Sequence, residues 1–387
     1  MTPVETARNL APDFRLVNEM AWSWRPEAMT VPQGIDNTGG QAHHTPMKLI
    51  SNPPNPFEDI TREGMEPPAR VELQLYEDDT KDILSQNDSP DLPFKWSINP
   101  YRGCFHACAY CYARPTHEYL GFGAGTDFES KIVVKRRAAS LLRKAFDRSS
   151  WTGDLLVFSG NTDCYQPIEA TLGITRACLE VCAEYRNPVG MITKSALPVR
   201  DLDLLSVLNQ EAWLRVYFSI PFADNETARL VEPQAPSVTK RFEAMRILSE
   251  AGIPTGISIA PIIPGLNDDA IPDLLERAKA AGASTATWIL LRLPGHAETV
   301  FLERMRTLFP DRIRKITNRL REVRGGRLTE SAFYRRHQGM GTYWATVEQL
   351  FEVSHKRAGF LHEEEEIPNT FQRPTAQQSL FSTEEKP

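Results

Sequence analysis

From about Lys95 onward, short apolar runs that suit strands alternate with stretches whose apolar positions recur every three or four residues. The strand-like runs fall at 96–99, 155–159, 190–193, 215–220, 255–262 and 285–291. Amphipathic patterns of helical period lie among them, at 138–146, 174–185, 201–208, 238–251 and 271–281. Gly252 and Gly282 stand where the last two of these helices should end, since glycine accepts the left-handed backbone of a helix C-terminus. Such alternation implies parallel strands joined by right-handed crossovers. Six units fall short of the eight of a closed barrel. The expected fold is therefore α/β, an open partial (β/α)6 TIM-like barrel spanning 68–298.

The flanks read differently. Residues 1–67 are rich in Pro, Gly and Asn and show no sustained period, as expected of an irregular N-terminal arm. Val71, Leu73 and Leu75 alternate with polar residues, which predicts a short strand ahead of the main domain. Beyond Glu298 the pattern turns helical, with helices expected over 312–320 and 342–358, giving a C-terminal extension over 299–361. The run from Glu363 to Glu366 opens a polar segment, 362–387, expected to be a disordered tail.

Composition narrows the class. The 387 residues are 41% hydrophobic and 24% charged, ordinary for a protein with a sizeable core. No apolar run approaches the ~20 residues needed to cross a bilayer. The N-terminal stretch has no basic region followed by an apolar one, so the expected location is the cytoplasm, with no membrane partner. Six cysteines in so long a chain do not form a disulfide framework; closely spaced thiols in a reducing compartment bind metal or do chemistry. The net charge of −6 is unevenly spread, with seven basic residues against one acidic over 131–148 and nine against two over 312–336. Each basic stretch suits either a phosphate-binding face or a solvated helix face.

Three cysteines fall within eight residues, in Asn99-Pro-Tyr-Arg-Gly-Cys104-Phe-His-Ala-Cys108-Ala-Tyr-Cys111-Tyr-Ala-Arg114-Pro. Spacings of three and then two residues wrap one loop around three corners of a cube-shaped iron–sulfur cluster, for which thiolate is the usual ligand. Three protein ligands leave the fourth iron open for chemistry. A structural zinc site is the alternative, but it normally takes four ligands in paired sets, and only His106 or His117 stands near enough to complete one. The loop follows the first expected strand, at the mouth of a parallel barrel where active sites form.

This CxxxCxxC pattern, with Tyr110 before the last cysteine, resembles that of the radical S-adenosylmethionine (SAM) superfamily. The resemblance implies that Cys104, Cys108 and Cys111 hold a [4Fe–4S] cluster. It further implies that SAM chelates the open iron and is cleaved reductively to a 5′-deoxyadenosyl radical. Tyr110 would lie at the adenine end of SAM, and an electron donor such as flavodoxin or ferredoxin would be needed. Further segments, among them TDCYQPIE, ITKSALPVRDLDLL, EPQAPSVTKR and AGIPTGISIAPIIPGLND, resemble the spore-photoproduct-lyase-like branch, whose members are often labelled DNA repair photolyases.

The same resemblance suggests where SAM would be held. Ser159, Gly160, Asn161, Thr162 and Asp163 end the second expected strand, where the superfamily receives the SAM ammonium and where glycine permits close approach. In the lyase-like branch a hydroxyl–Asp pair does this, matching Thr162 and Asp163; an Asx-type loop closure is the alternative. Lys194, ending the third strand, is a point cation for the SAM carboxylate, although a lone lysine is more often solvated. Ser219 is the matching hydroxyl, and Ile259, Ala260 and Pro261 would wall the adenine.

Other residues keep two readings. Cys164 is either a hydrogen-atom donor, as a cysteine early in this segment is in spore photoproduct lyases, or a packed thiol. Cys178 and Cys182, four apart on a helix, are either core or a second metal site. Tyr112, Arg114, His117 and Tyr119 either line a substrate cavity or brace the cluster loop, and Glu232 and Arg241 suggest a structural pair. Near the C-terminus, Gln377-Gln378-Ser379-Leu380-Phe381 resembles the peptide by which bacterial repair and replication proteins grip the sliding clamp. The expected activity is radical SAM chemistry on DNA, for repair or modification. The rivals are a protein, peptide or small metabolite as substrate, and a non-catalytic metal-binding module.

Overall fold

Seven strands of the chain share one open sheet, and three more form a small sheet beside the cysteine loop. The structure is a computed structural model and describes residues 72–361 and 366–374. The expected N-terminal arm and the motif Gln377-Gln378-Ser379-Leu380-Phe381 lie outside the described residues.

In chain order the strands are β1 (Gln74–Glu77), β2 (Leu84–Gln86), β3 (Trp96–Ile98), β4 (Tyr101–Arg102) and β5 (Lys131–Val134), then β6 (Leu156–Phe158), β7 (Val189–Thr193), β8 (Leu214–Ser219), β9 (Thr255–Ile262) and β10 (Thr285–Leu290). The main sheet runs β10-β9-β8-β7-β6-β3-β2. Its six strands from β3 to β10 are parallel and coincide with the six expected runs, while β2 adds antiparallel to β3. The sheet does not close into a barrel, leaving β10 and β2 as edges.

Strands in a parallel sheet with helices over it are buried on both faces, so they carry near-continuous apolar sequence. Leu156, Val157 and Phe158 of β6 are all buried, as are Val216 and Phe218 of β8 and Ile257 and Ile259 of β9. Each such side chain contributes roughly 1.5–3 kcal/mol by leaving water. The helix Ile174–Glu184 buries Ile174, Cys178, Leu179, Val181 and Cys182 on one stripe. Cys178 and Cys182 are therefore core thiols, both fully buried. Gly252 and Gly282 end their helices with positive φ of 81° and 89°, their N–H groups donating to Ser249 and Lys279 carbonyls.

The flanking elements match some expectations and correct others. The strand near residue 73 exists as β1, but its four residues are all exposed; pairing with β5, rather than burial of alternate side chains, holds it. The basic stretch at 131–148 begins with β5, where Ile132, Val133 and Val134 are buried, so that stretch is no uniform cationic face. The extension's helices run Ile313–Val323 and Gly341–Arg357, preceded by Ala297–Leu308. The polar tail is not wholly free of the fold, because residues 366–374 dock as a strap. Phe371 packs on Phe146 and Tyr185 with ring centroids 5.8 and 6.1 Å away. Arg373 donates to the carbonyls of Phe146 (3.0 Å), Arg148 (2.6 Å) and Trp151 (2.8 Å). Gly153 makes room, since a Cβ there would stand 2.3 Å from that of Phe371. Asn369, Thr370 and the Gln372 N–H add bonds to the carbonyls of Thr152 (2.8 Å), Arg186 (2.7 Å) and Tyr185 (2.9 Å).

Arg324 joins the extension to the end of β10. Buried, it donates to the carbonyls of Leu291, Arg335 and Arg336 at 2.8 Å each and of Gln338 at 2.7 Å. Four carbonyls satisfied by one guanidinium fix residues 335–338 beside the C-terminal ends of the strands. No helix among the described residues is long and apolar enough to cross a membrane.

Candidate active site

The cysteine loop begins where β4 leaves the small sheet. Gly103 turns it with φ +76°, and a Cβ there would lie 2.9 Å from the Phe128 carbonyl and 3.0 Å from that of Lys131. Only glycine fits so close to backbone. Cys104 N–H donates to Phe128 (2.9 Å), Ala109 N–H to Val231 (2.9 Å), and the turns Cys104–Ala107 and Cys108–Cys111 each close at 3.3 Å. Arg114, fully buried, clamps the loop from beneath. It donates to the carbonyls of Cys108 (2.7 Å), Ala107 (3.4 Å), Ala124 (3.0 Å) and Gly125 (3.0 Å) and pairs with Glu129. His117 packs edge-on to Phe128 and its Nε2 meets the Lys131 carbonyl at 2.9 Å. Both residues brace the loop; Tyr119 is solvent-exposed.

Cys104, Cys108 and Cys111 are free thiols lining one cavity of about 350 Å³ at the C-terminal ends of the parallel strands. Burial pushes all three thiols up, Cys108 to about 12. Neutral thiols would thus be the rule here unless a metal centre supplied positive charge, which is what a cluster-binding loop requires. Three soft donors on one braced loop, facing an open cavity, fit a [4Fe–4S] cluster with one free corner.

The strand ends bring most of the expected SAM residues to the same cavity. Ser159, Gly160, Asn161, Thr162, Asp163, Lys194, Ser219 and Tyr110 all line it. Asp163 is also heavily engaged within the protein. Its Oδ1 accepts from Tyr165 N (2.9 Å) and Thr193 Oγ1 (2.7 Å), while Oδ2 accepts from Lys194 N (2.8 Å) and stands 3.3 Å from His106 Nδ1. Burial alone would raise its pKa, yet His106 and these donors outweigh it and hold the carboxyl down at about 2. Thr162 likewise donates to the Tyr101 carbonyl at 2.6 Å, and Asn99 Oδ1 accepts from the N–H groups of Asn161 (2.9 Å) and Thr162 (3.3 Å). Thr162 and Asp163, the expected hydroxyl–Asp pair, thus line the cavity while also knitting the tips of β3, β6 and β7 together. Gly160 is sterically required, since a Cβ would lie 2.8 Å from that of Ser97.

Lys194 keeps its head group in the cavity. Its Nζ lies 3.1 Å from Ser219 Oγ, which in turn donates to the Ala260 carbonyl at 3.1 Å, and sits 5.5 Å from the Tyr110 ring centroid. Burial opposes the charge, but Cys108 and Glu232 nearby more than restore it, leaving the pKa above the usual lysine value. Beneath, Tyr110 bonds to Glu232, and Arg241 pairs with Glu232 at 2.5 Å while donating to the Ser219 carbonyl at 3.0 Å. Glu232 and Arg241 form the structural pair their sequence suggested. Ala260 and Pro261 line the cavity, whereas Ile259 is core. Cys164 is fully buried and absent from the cavity wall, its N–H bonded to Ser159 Oγ at 2.8 Å; its placement is that of a packed thiol.

Sequence reasoning missed part of the wall. Arg292, just past β10, and Arg336 and His337 from the extension all line the cavity; Tyr112, for which this was one of two expected readings, lines it too, its hydroxyl donating to the Gly160 carbonyl at 2.7 Å. Arg292 had a signal, since it directly follows an expected strand. Arg336 and His337 had none, because only the fold-back fixed by Arg324 brings them there.

A half-barrel of parallel strands with a three-cysteine loop at its mouth defines a class, and the family comparison agrees. The sequence profile described as the Radical SAM superfamily matches residues 98–278, so the chain carries a radical SAM domain over that stretch. The family implies a [4Fe–4S] cluster and SAM. An uncharacterized protein of Mycobacterium tuberculosis is 37% identical over 213 residues, which are 54% of this chain and 63% of that protein. The chain thus matches less than two thirds of the length of these mycobacterial relatives. A radical SAM Nalpha-GlyT isomerase of Pseudomonas phage M6 is 24% identical over 255 residues, 65% of this chain and 51% of that one. Among solved structures, a spore photoproduct lyase variant with bound AdoMet and dinucleoside spore photoproduct shares the fold. Its TM-score is 0.52 at 18% identity, over 74% of this chain and 79% of the lyase.

Proposed function

We propose that this chain is a cytoplasmic radical SAM enzyme that repairs or modifies DNA. The observation that carries the chemistry is one cavity lined at once by Cys104, Cys108 and Cys111, by the Lys194–Ser219 pair, and by Ala260 and Pro261. When bound, a [4Fe–4S] cluster and SAM supply a carbon-centred radical able to abstract hydrogen from a substrate. The chain's part is to hold the three thiolates on a loop that Arg114 keeps rigid. Lys194 offers a cation to the SAM carboxylate, and the apolar wall excludes water from the adenine.

Support for a nucleic-acid substrate comes from the substrate side of the cavity. Arg292 brings positive charge there, beside Arg336, which Asp91 pairs, and Phe333 and Tyr334, 50% and 63% exposed, stand next to Arg336; its guanidinium lies 5.0 Å from the Phe333 ring centroid. Exposed aromatics next to arginines suit base stacking and phosphate contact. The shared fold with a lyase variant that has dinucleoside spore photoproduct bound agrees with this reading. Flavodoxin or ferredoxin would supply the electron. Gln377, Leu380 and Phe381 would recruit the enzyme to the bacterial sliding clamp; a peptide spanning 375–383 should bind that clamp with micromolar affinity, about −8 kcal/mol.

Anaerobic reconstitution followed by turnover with dithionite tests the core of the proposal. The expected outcome is about four irons per chain, 5′-deoxyadenosine from SAM, and a mass change in damaged or undamaged oligonucleotide. Oligonucleotide binding should also weaken steeply with salt. Stoichiometric zinc without sulfide would refute the cluster, and unchanged DNA in the presence of 5′-deoxyadenosine would point to another substrate class.

A further inference from the structure

Arg292 is a cation without a counter-ion. It follows β10 directly, lines the cavity and is only partly exposed, yet among the described residues it has no hydrogen-bond or ion-pair partner. Its Nε is sealed from solvent and unsatisfied. The nearest acidic group is already spent: Asp91 accepts from Arg336 Nε (2.8 Å), Arg336 Nη2 (2.6 Å) and the Tyr334 N–H (3.1 Å). Burial and the adjacent Arg336 work against the charge on Arg292, and Tyr112 and Asp91 nearby offset them only in part. No group of the fold bonds to this guanidinium among the described residues, and the missing partner is one the cavity's ligand would bring.

We propose that Arg292 anchors a backbone phosphate of the substrate, at a subsite separate from the one that holds the SAM carboxylate. Arg292 follows β10 and Lys194 follows β7, and β8 and β9 lie between those strands in the sheet. Three strand spacings of ~4.8 Å put their backbones roughly 14 Å apart along the sheet, so the two cations rise from separate strand ends on opposite sides of the cavity. A planar guanidinium suits the paired oxygens of a phosphodiester, and Tyr112, Phe333 and Tyr334 offer stacking surface for the bases on either side. The proposal deepens the nucleic-acid reading and rests on it.

The test compares a fluorescent thymidine dinucleotide carrying a phosphodiester with the same dinucleotide carrying a neutral methylphosphonate, both titrated into the full-length, reconstituted protein with SAM present. The wild type should prefer the charged linkage by tenfold or more. Arg292→Gln should bind the two alike, Arg292→Lys should recover part of the preference, and SAM affinity should be the same in all three. Because Arg292 makes no contact that the fold uses, both variants should melt with the wild type. A preference that survives Arg292→Gln overturns the proposal while leaving nucleic-acid binding intact. Loss of SAM affinity in Arg292→Gln overturns it by placing the residue at the cofactor. Failure of the wild type to bind either dinucleotide overturns the proposal together with the nucleic-acid reading beneath it.

Discussion

The two sides of the cavity are built on opposite terms. On the cysteine side almost every polar group is committed to the protein: Arg114 to four carbonyls and Glu129, Asp163 to three donors with the His106 ring beside it, Thr162 to Tyr101, Glu232 to Tyr110 and Arg241. On the other side Arg292 is unpartnered among the described residues, and Phe333 and Tyr334 face solvent. Groups that must keep their geometry through repeated turnover are locked by hydrogen bonds. Groups that must meet a changing partner are left unsatisfied until it arrives. Preorganisation belongs to the cofactor and adaptability to the substrate.

That contrast can be broken by mutation, most severely on the locked side. Arg114→Met leaves Glu129 with only Arg304 and takes the guanidinium from four carbonyls, of which Ala107 keeps Arg304 and Cys108 keeps the Cys111 N–H, so a loss of about 3–5 kcal/mol is expected, together with iron binding. Chemical denaturation and iron content measure both, and a stable variant with full iron would show that the loop needs no clamp.

Asp163→Asn comes next. The amide replaces an acceptor with a donor facing the N–H of Lys194 or of Tyr165, at an expected cost of roughly 1–3 kcal/mol. Stability and iron content should fall along with SAM affinity, whereas a loss confined to SAM affinity would mark Asp163 as a direct ligand.

Lys194→Met should leave folding and iron untouched while weakening SAM binding by about 1.5–3 kcal/mol, one charged contact. Equilibrium dialysis with labelled SAM decides the matter; undiminished affinity would remove Lys194 from the cofactor site. The smallest effect belongs to Tyr112→Phe, which deletes one partly exposed hydrogen bond to the Gly160 carbonyl. A change near 0.5–1 kcal/mol in stability is expected from a melting curve, and a much larger one would place Tyr112 on the locked side.

The six parallel strands were legible because each is an apolar run separated from the next by a helical period. The cysteine loop was legible because all its ligands lie within eight residues. The strap at 366–374 was not, since its hold depends on Phe371 meeting Phe146 more than two hundred residues away. The role of Arg114 was open in sequence for a related reason: an arginine beside a metal loop reads alike as ligand contact or brace until its five partners are seen.

By itself, the sequence determined what repeats or sits close along the chain: an α/β half-barrel, a three-thiolate loop, and a lysine and a serine at strand ends. Only the tertiary structure decided which polar groups were already spent. Asp163 meets Thr193 thirty residues on, Asp91 meets Arg336 across 245, and the fold-back through Arg324 sets His337 beside Arg292. A side chain's type fixes what it can bind, but its availability depends on neighbours that only folding assembles and on the water that folding removes.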